Sequence, residues 1–126
     1  MKLLLDAAFV IDHMRGMPAA IERYRALFEA GDEPLVNEIV VSEVRAGTRD
    51  AELPILHAFL EPVEFIQPGP DAALKAGAWR ELARRGGHHL SLADALIAAA
   101  ADAADAAVLT RNERHFGLTP VPVETY

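Results

Sequence analysis

The chain has 126 residues, of which 52% are hydrophobic and 25% are charged, and this size and balance predict one globular domain over residues 1–126 rather than a disordered chain. It contains no cysteine, which excludes a disulfide framework and any thiolate metal site. The formal net charge of −7 argues against nucleic-acid binding through a broadly basic surface. No run reaches the roughly 20 apolar residues of a membrane-spanning helix, so we expect a soluble protein.

Short apolar runs alternate with segments of helical spacing along the whole chain. Apolar runs bounded by turn residues predict strands, and apolar residues three or four positions apart predict helices. In chain order, the predicted elements are a strand at 2–6, helices at 7–16 and 18–31, a strand at 33–37, helices at 38–47 and 54–61, a strand at 63–66, helices at 70–87 and 90–106, and strands at 107–110 and 120–123. The prolines of the last strand suit only the edge of a sheet. The alternation predicts an α/β fold, with a central, mostly parallel β-sheet flanked by α-helices.

Three acidic residues stand where stability alone does not call for a charge. Asp6 directly follows the first strand, at the carboxyl end where open α/β sheets bind ligands. Glu43 lies on the apolar stripe of its helix, four residues after Ile39. Asp94 stands in the run SLADALIAAAA, residues 91–101, whose lack of polar positions predicts a buried helix.

Each acid also has an ordinary structural explanation. Asp6 could cap the helix that follows it, because an aspartate there accepts otherwise unpaired backbone N–H groups. Glu43 could pair with Arg45 or Arg49. Asp94 could complete a capping box with the serine three residues before it.

These separate explanations leave the coincidence of three such acids unexplained, so we expect them to form a cluster. Carboxylates that lie close together must be protonated, spread apart or held around a cation. Oxygen ligands without cysteine favour Mg²⁺ or Mn²⁺ over structural zinc. Such a site activates water for hydrolysis of a phosphodiester.

Four blocks of the sequence, in their order and spacing, resemble the PIN-domain ribonucleases of the VapC type, the toxins of VapBC toxin–antitoxin pairs. The blocks are LLLDAAFVID, VSEVRAG, SLADALIAAAA and VLTRNERHF, and they span nearly the whole chain. The resemblance implies a small PIN-like α/β sandwich with a pocket of carboxylates that holds Mg²⁺ or Mn²⁺ for RNA cleavage. It makes Asp6, Glu43 and Asp94 the metal ligands and, with Asn112, the catalytic set.

The sequence departs from the family pattern at two places. Ala7 and Ala8 follow the first aspartate, where the family commonly has a threonine and a serine whose hydroxyls could orient a metal ligand. Asn112 stands where many members have a fourth aspartate; its amide oxygen could accept a hydrogen bond from a metal-bound water, at lower charge. Both departures predict weaker metal binding.

Residues near the last block are candidates for contact with the substrate. Thr110 could place its hydroxyl in the pocket, or simply end its strand. Arg111 and Arg114 could bind phosphate, or be solvated. His88 and His89 could contact RNA, or only lead into the helix that carries Asp94.

The leading hypothesis is therefore a metal-dependent endoribonuclease, the toxin of a type II toxin–antitoxin system. The resemblance implies a VapB-type antitoxin as partner, a homodimer, and a cytoplasmic setting in a prokaryote. The alternative is a PIN-like module that has lost catalysis and only binds RNA or protein, which the missing fourth acid makes credible.

Overall fold

Five short strands form one sheet in the order β3-β2-β1-β4-β5, in a computed structural model that describes residues 1–126. The strands are β1 (Lys2–Leu5), β2 (Glu33–Val36), β3 (Glu64–Phe65), β4 (Ala107–Leu109) and β5 (Val123–Glu124). All four strand pairs are parallel. The predicted α/β fold is confirmed, and the sheet is parallel throughout.

The central strand is buried on both faces. Leu3, Leu4 and Leu5 of β1 have no exposed surface, although consecutive side chains of a strand point to opposite sides. Helices must therefore cover both faces, as parallel sheets require. The last strand lies at the edge of the sheet as predicted, but its predicted bounds, 120–123, are wrong, because β5 covers only Val123–Glu124. Pro122 directly precedes β5, and its carbonyl accepts a hydrogen bond from the N–H of Val108.

Seven helices and one short 3₁₀ turn, Asp50–Glu52, connect the strands. The helices are α1 (Ala7–Met14), α2 (Pro18–Glu29), α3 (Glu38–Ala46), α4 (Leu53–Leu60), α5 (Pro70–Arg85), α6 (Leu92–Ala103) and α7 (Glu113–Phe116). Helix α7 was not predicted, because one turn of helix is too short to show a periodic pattern. The longest helix has 16 residues, and none of the seven combines the length and apolar character needed to cross a membrane.

Aromatic side chains hold α1, α2 and α4 together. The ring of Tyr24 lies edge-on to Phe9, with centroids 6.0 Å apart, and stacks on Phe59 at 4.5 Å. The hydroxyl of Tyr24 donates to the carbonyl of Phe59 at 3.2 Å. This packing fixes the position of α1, which begins at the carboxyl end of β1.

Helix α6 lies between the sheet and α5, so the prediction of a buried helix is confirmed. Ile97 and three of its alanines belong to the main core against the sheet. Ala95 and Ala99 pack instead against Ala76 and Ala83 of α5. Alanine on both sides of the contact lets α5 approach α6 closely. This close packing fixes the position of α6 and therefore the position of Asp94 in its first turn.

Candidate active site

Asp6 lies at the carboxyl end of β1 and has only 6% of its surface exposed. One carboxylate oxygen accepts the N–H of Ala7 at 2.9 Å, so the residue does cap α1. The other oxygen accepts the hydroxyl of Thr110 at 2.7 Å. Burial raises the pKa of Asp6 above its usual value; these two hydrogen bonds oppose the shift, and the charge of Asp94 adds to it.

Thr110 holds Asp6 in place from the neighbouring strand. Its side chain is fully buried, and its Oγ1 accepts the N–H of Asn112 at 2.9 Å while its hydroxyl donates to Asp6. The side chain has no exposed surface, and its hydroxyl contacts Asp6 and Asn112 instead of the open pocket. Thr110 is a positioning residue for Asp6.

Glu43 lies near the end of α3, on the exposed rim of the site. Neither predicted arginine pairs with it, because Arg45 binds Asp50 at 2.7 Å and Arg49 binds Glu52 at 3.0 Å. The pKa of Glu43 is raised, first by partial burial of the carboxyl group and then by the charges of Asp6 and Asp94. This effect shows that the three acids lie close enough to repel one another.

Asp94 lies in the first turn of α6, where Ser91 carries out the capping. The Oγ of Ser91 accepts the N–H of Asp94 at 3.1 Å, but the carboxylate of Asp94 makes no return bond to Ser91. That carboxylate keeps 22% of its surface exposed, and one of its oxygens lies 3.8 Å from Nδ1 of His115. The carboxylate of Asp94 therefore does not complete a capping box, and helix capping does not explain why an acid stands at this position.

The donor chemistry of this acidic cluster (Asp6, Glu43 and Asp94) suits a hard divalent cation. All three supply carboxylate oxygens, and both burial and the neighbouring carboxylate charges, which raise the pKa of Asp6 and Glu43, are unfavourable effects that a bound cation offsets. No three acidic or imidazole side chains converge on one point at metal-binding distance. One ion would therefore contact fewer than three of these side chains directly, which suits Mg²⁺ because it commonly keeps several waters and uses one or two carboxylates.

A polar cleft of about 590 Å³ adjoins the acidic cluster at α7. It is lined by Arg111, Asn112, Glu113, Arg114 and His115. The side chain of Asn112 makes no hydrogen bond within the chain, and that of Arg114 makes no ion pair, so both are available to a ligand. The predicted residues of the last block, apart from Thr110, thus line one open surface.

A buried carboxylate beside this cleft was missed in the sequence. Asp12 of α1 is 3% exposed; it accepts the hydroxyl of Tyr126 at 2.6 Å and lies 3.4 Å from Nε of Arg111. It therefore ties the end of the chain and one arginine of the cleft to α1. Its position three residues after Phe9 on the apolar side of a helix was the signal that could have found it.

The chain matches the PIN domain family model over residues 3–119. Ribonuclease VapC19 from Mycobacterium tuberculosis is 37% identical over 117 residues, which cover 93% of this chain and 94% of VapC19. The structure of VapBC2 from Rickettsia felis, bound to a DNA fragment from its promoter, superposes with a TM-score of 0.88 at 21% identity, covering 100% of this chain and 99% of that chain. A toxin–antitoxin complex from Klebsiella pneumoniae superposes with a TM-score of 0.78 at 26% identity, covering 98% and 96%. The chain therefore belongs to the PIN-domain family, in its VapC branch.

Proposed function

We propose that this protein is a metal-dependent endoribonuclease, the toxin of a type II toxin–antitoxin system in the cytoplasm of a prokaryote. The observation that carries the proposal is the acidic cluster, in which burial raises the pKa of both Asp6 and Glu43 and the charges of neighbouring carboxylates from other elements add to the rise. Stability does not require this crowding, since like charges that lie close together are unfavourable. The 37% identity to a protein named ribonuclease VapC19 supports RNA as the substrate.

We assign Asp6, Glu43 and Asp94 as the residues that hold Mg²⁺ or Mn²⁺, one or two of them directly and the rest through waters of the ion. When bound, the ion would supply a water of lowered pKa and stabilise negative charge on the phosphate. The hydroxyl of Thr110 donates a hydrogen bond to one oxygen of Asp6 and thereby fixes the orientation of the Asp6 carboxylate.

Residues of the polar cleft would bind the substrate. Arg111 and Arg114 carry guanidinium groups that match the geometry of a phosphate. Asn112 would orient a water through its amide oxygen, where an aspartate would bind the ion more strongly. The buried carboxylate of Asp12 limits the freedom of Arg111 and thereby lowers the entropy lost when Arg111 binds phosphate.

The partner that we propose is a VapB-type antitoxin, with the toxin itself a homodimer. The proposal draws on the solved structures of similar fold, which are described as VapBC or toxin–antitoxin complexes. Co-purification of this chain with the product of an adjacent reading frame, followed by size-exclusion chromatography with light scattering, would test both the partner and the dimer.

The test of the activity is cleavage of total RNA and tRNA by the purified chain, with Mg²⁺, with Mn²⁺ and with EDTA. We expect cleavage with either metal and none with EDTA. The variant Asp94→Asn should lose at least about 100-fold in rate, because outer-sphere partners of metal sites alone are worth 10- to 100-fold. The matched control is Asp105→Asn, which changes an exposed aspartate just after the end of α6. Asp105 has a backbone φ of 54°, a conformation that asparagine also tolerates.

RNA binding without cleavage would support the alternative function, that of an inactive binding module. If wild-type protein binds RNA but does not cut it at high metal and enzyme concentrations, the chain is an inactive PIN-like binding module. If Asp94→Asn and Asp105→Asn lose the same activity, the acidic cluster is not the active site.

A further inference from the structure

A second concave surface, which we name the α5–α6 basic cleft, lies where α5 leads into α6. It has a volume of about 160 Å³ and is lined by Arg80, Arg84, His88, His89 and Leu90. Two of these five residues are arginines and two are histidines, in a chain whose net charge is −7 with histidine counted as neutral. Such a concentration of cationic groups needs an explanation, because the rest of the surface is dominated by acids.

The cationic groups of this cleft have no acidic partner. Most other basic side chains of the chain are neutralised locally: Arg25, Arg45, Arg49, Arg85, Arg111 and Lys75 all form ion pairs. Arg80 instead donates through Nε to the carbonyl of Leu90 at 3.1 Å, which anchors its stem and leaves its terminal amino groups unpaired. Arg84 is exposed and forms no ion pair. The cleft therefore presents charge that the fold itself does not use.

The cleft lies at the segment that leads into the first turn of α6, the turn that carries Asp94. Leu90 directly precedes Ser91, the N-cap of α6, and the hydrogen bond from Arg80 to the carbonyl of Leu90 fixes this segment against α5. On the α7 side of Asp94, His115 of the polar cleft lies at 3.8 Å. The basic cleft therefore lies on the α5 side of the segment that leads to Asp94, and the polar cleft, with its two arginines, lies on the α7 side.

We propose that the α5–α6 basic cleft binds phosphates of the RNA strand next to the one that is cleaved. This proposal rests on the proposed ribonuclease function. Three carboxylates repel a polyanion, so affinity for RNA must come from cations near them. The polar cleft provides only two arginines, of which Asp12 partly neutralises Arg111. The arginines of the α5–α6 basic cleft supply additional positive charge for phosphates of the same RNA strand.

The contact is to the backbone rather than to the bases. Guanidinium groups pair with phosphate oxygens without reading sequence, and no Phe, Tyr or Trp lines the cleft as a platform on which a base could stack. We therefore expect the cleft to add affinity equally for different RNA sequences.

The test measures binding of a fluorescent single-stranded RNA to the full chain by anisotropy, in EDTA, over a range of salt concentrations. The variant Arg84→Gln removes one exposed cation without a hydrogen-bond partner in the fold. We expect its affinity at low salt to fall about fivefold and the slope of log Kd against log salt to decrease by about 0.7, the value for one phosphate contact on a single strand. The double variant Arg80→Gln/Arg84→Gln should decrease that slope by about 1.4.

The matched control is Lys2→Gln, which removes one exposed positive charge at the amino end of β1, on the opposite edge of the sheet. Its affinity and slope should equal those of wild type. Equal slopes for Arg84→Gln and wild type overturn the proposal, and so does an equal loss in Lys2→Gln, which would indicate a general charge effect. If Arg84→Gln binds RNA normally but loses binding to a polyglutamate peptide, the cleft serves an acidic protein and the proposal is also wrong.

Cleavage kinetics separate this inference from the proposed function. If wild type cuts RNA, Arg84→Gln should raise KM about fivefold with kcat unchanged, because the contact is made equally in ground state and transition state. If wild type cuts RNA and Arg84→Gln has the same KM as wild type, the inference about the α5–α6 basic cleft is wrong, while the proposed ribonuclease function stands. If wild type does not cut RNA under any metal condition, the ribonuclease proposal fails, while the salt slopes still decide whether the cleft binds RNA.

Discussion

At the scale of single residues, the site depends on how Asp6 is held. Burial disfavours its charged form, and two hydrogen bonds, from Thr110 and from the N–H of Ala7, favour that form. The same hydroxyl oxygen accepts the N–H of Asn112, so Thr110 links Asp6, at the end of β1, to Asn112 of the polar cleft. Ala7 and Ala8, which follow Asp6, carry no hydroxyl, and the hydroxyl that orients Asp6 comes from Thr110 after the end of β4.

The substitution Thr110→Val tests this role, because valine keeps the shape and removes the hydroxyl. It leaves an oxygen of Asp6 and the N–H of Asn112 without partners, which should lower the free energy of unfolding by about 1–3 kcal/mol. It should also raise the pKa of Asp6 further and so weaken Mn²⁺ binding. Urea denaturation and isothermal titration measure the two effects, and Thr110→Ser should restore most of both. Equal metal affinity in the valine and serine variants would contradict the role.

Glu43 gives a prediction on pH. Its folded pKa lies above its ordinary value of 4.5, so the folded state holds the proton more tightly than the unfolded state does. Stability of the metal-free protein is therefore lost as pH rises from about 4.5 through the raised value. Glu43→Gln removes this loss and should be more stable than wild type at pH 8 by about 0.3 kcal/mol, a small effect because solvent screens an exposed carboxylate.

The measurement for Glu43→Gln is urea denaturation in EDTA at pH 4 and at pH 8. The two proteins should have equal stability at pH 4, where both side chains are neutral. A variant that is less stable than wild type at pH 8 would show that Glu43 makes a favourable contact and does not belong to a repelling cluster.

At the scale of elements, α6 brings Asp94 to the site through its small side chains. Ala95 and Ala99 face α5, and other alanines of the same helix face the sheet. A larger side chain on either face would push the helix away from its neighbour, because protein interiors are close-packed. The alanine-rich run is thus a packing requirement that also positions a functional carboxylate.

The substitution Ala99→Leu tests this packing. Ala99 is 1% exposed between α5 and α6, so a leucine should lower the free energy of unfolding by about 1–3 kcal/mol through overpacking. The matched control is Ala103→Leu, one turn later on an exposed position of the same helix, which should change stability by less than about 0.5 kcal/mol. Urea denaturation measures both. Equal stabilities would mean that the interface between α5 and α6 can expand freely.

At the scale of the whole molecule, the charge distribution sets the response to metal. The chain is strongly acidic, and the charges of Asp6 and Asp94 both act on Glu43. A bound cation stabilises the folded state by RT ln(1 + [L]/Kd), about 2.7 kcal/mol when the free concentration is 100 times Kd. The whole fold should therefore become more stable when Mg²⁺ or Mn²⁺ is added.

The substitution Asn112→Asp should strengthen this response, because it adds a charged oxygen beside the cluster at the position where many relatives have an acid. Isothermal titration with Mn²⁺ should give a Kd about tenfold lower than that of wild type, equivalent to one charge-assisted contact of about 1.4 kcal/mol. Thermal melts in millimolar Mn²⁺ should show a larger increase in Tm for the variant. An unchanged or weaker affinity would place Asn112 outside the metal site.

The order of elements and the identity of the acidic residues were available from the sequence by itself. Apolar runs and helical spacing follow from local chemistry, so the α/β alternation was predicted, as was the position of β5 at an edge, where prolines leave no N–H to pair. Asp6 stood out because it ends an apolar strand, and Glu43 and Asp94 stood out because a charge among apolar residues is costly without a partner. The structure leaves Glu43 exposed, so its predicted place on a buried stripe is wrong. The short helix α7 carried no periodic signal and was missed.

Only the tertiary structure decided which distant groups meet. Thr110 bonds to Asp6 across 104 positions, and Tyr126 bonds to Asp12 across 114. Neither pairing follows from local spacing, because the sheet order β3-β2-β1-β4-β5 makes β1 the neighbour of β4, far along the chain. The partners of Arg45 and Arg49, and the unpaired arginines of the α5–α6 basic cleft, were likewise fixed by packing, since a side chain's partner depends on the geometry of the folded surface.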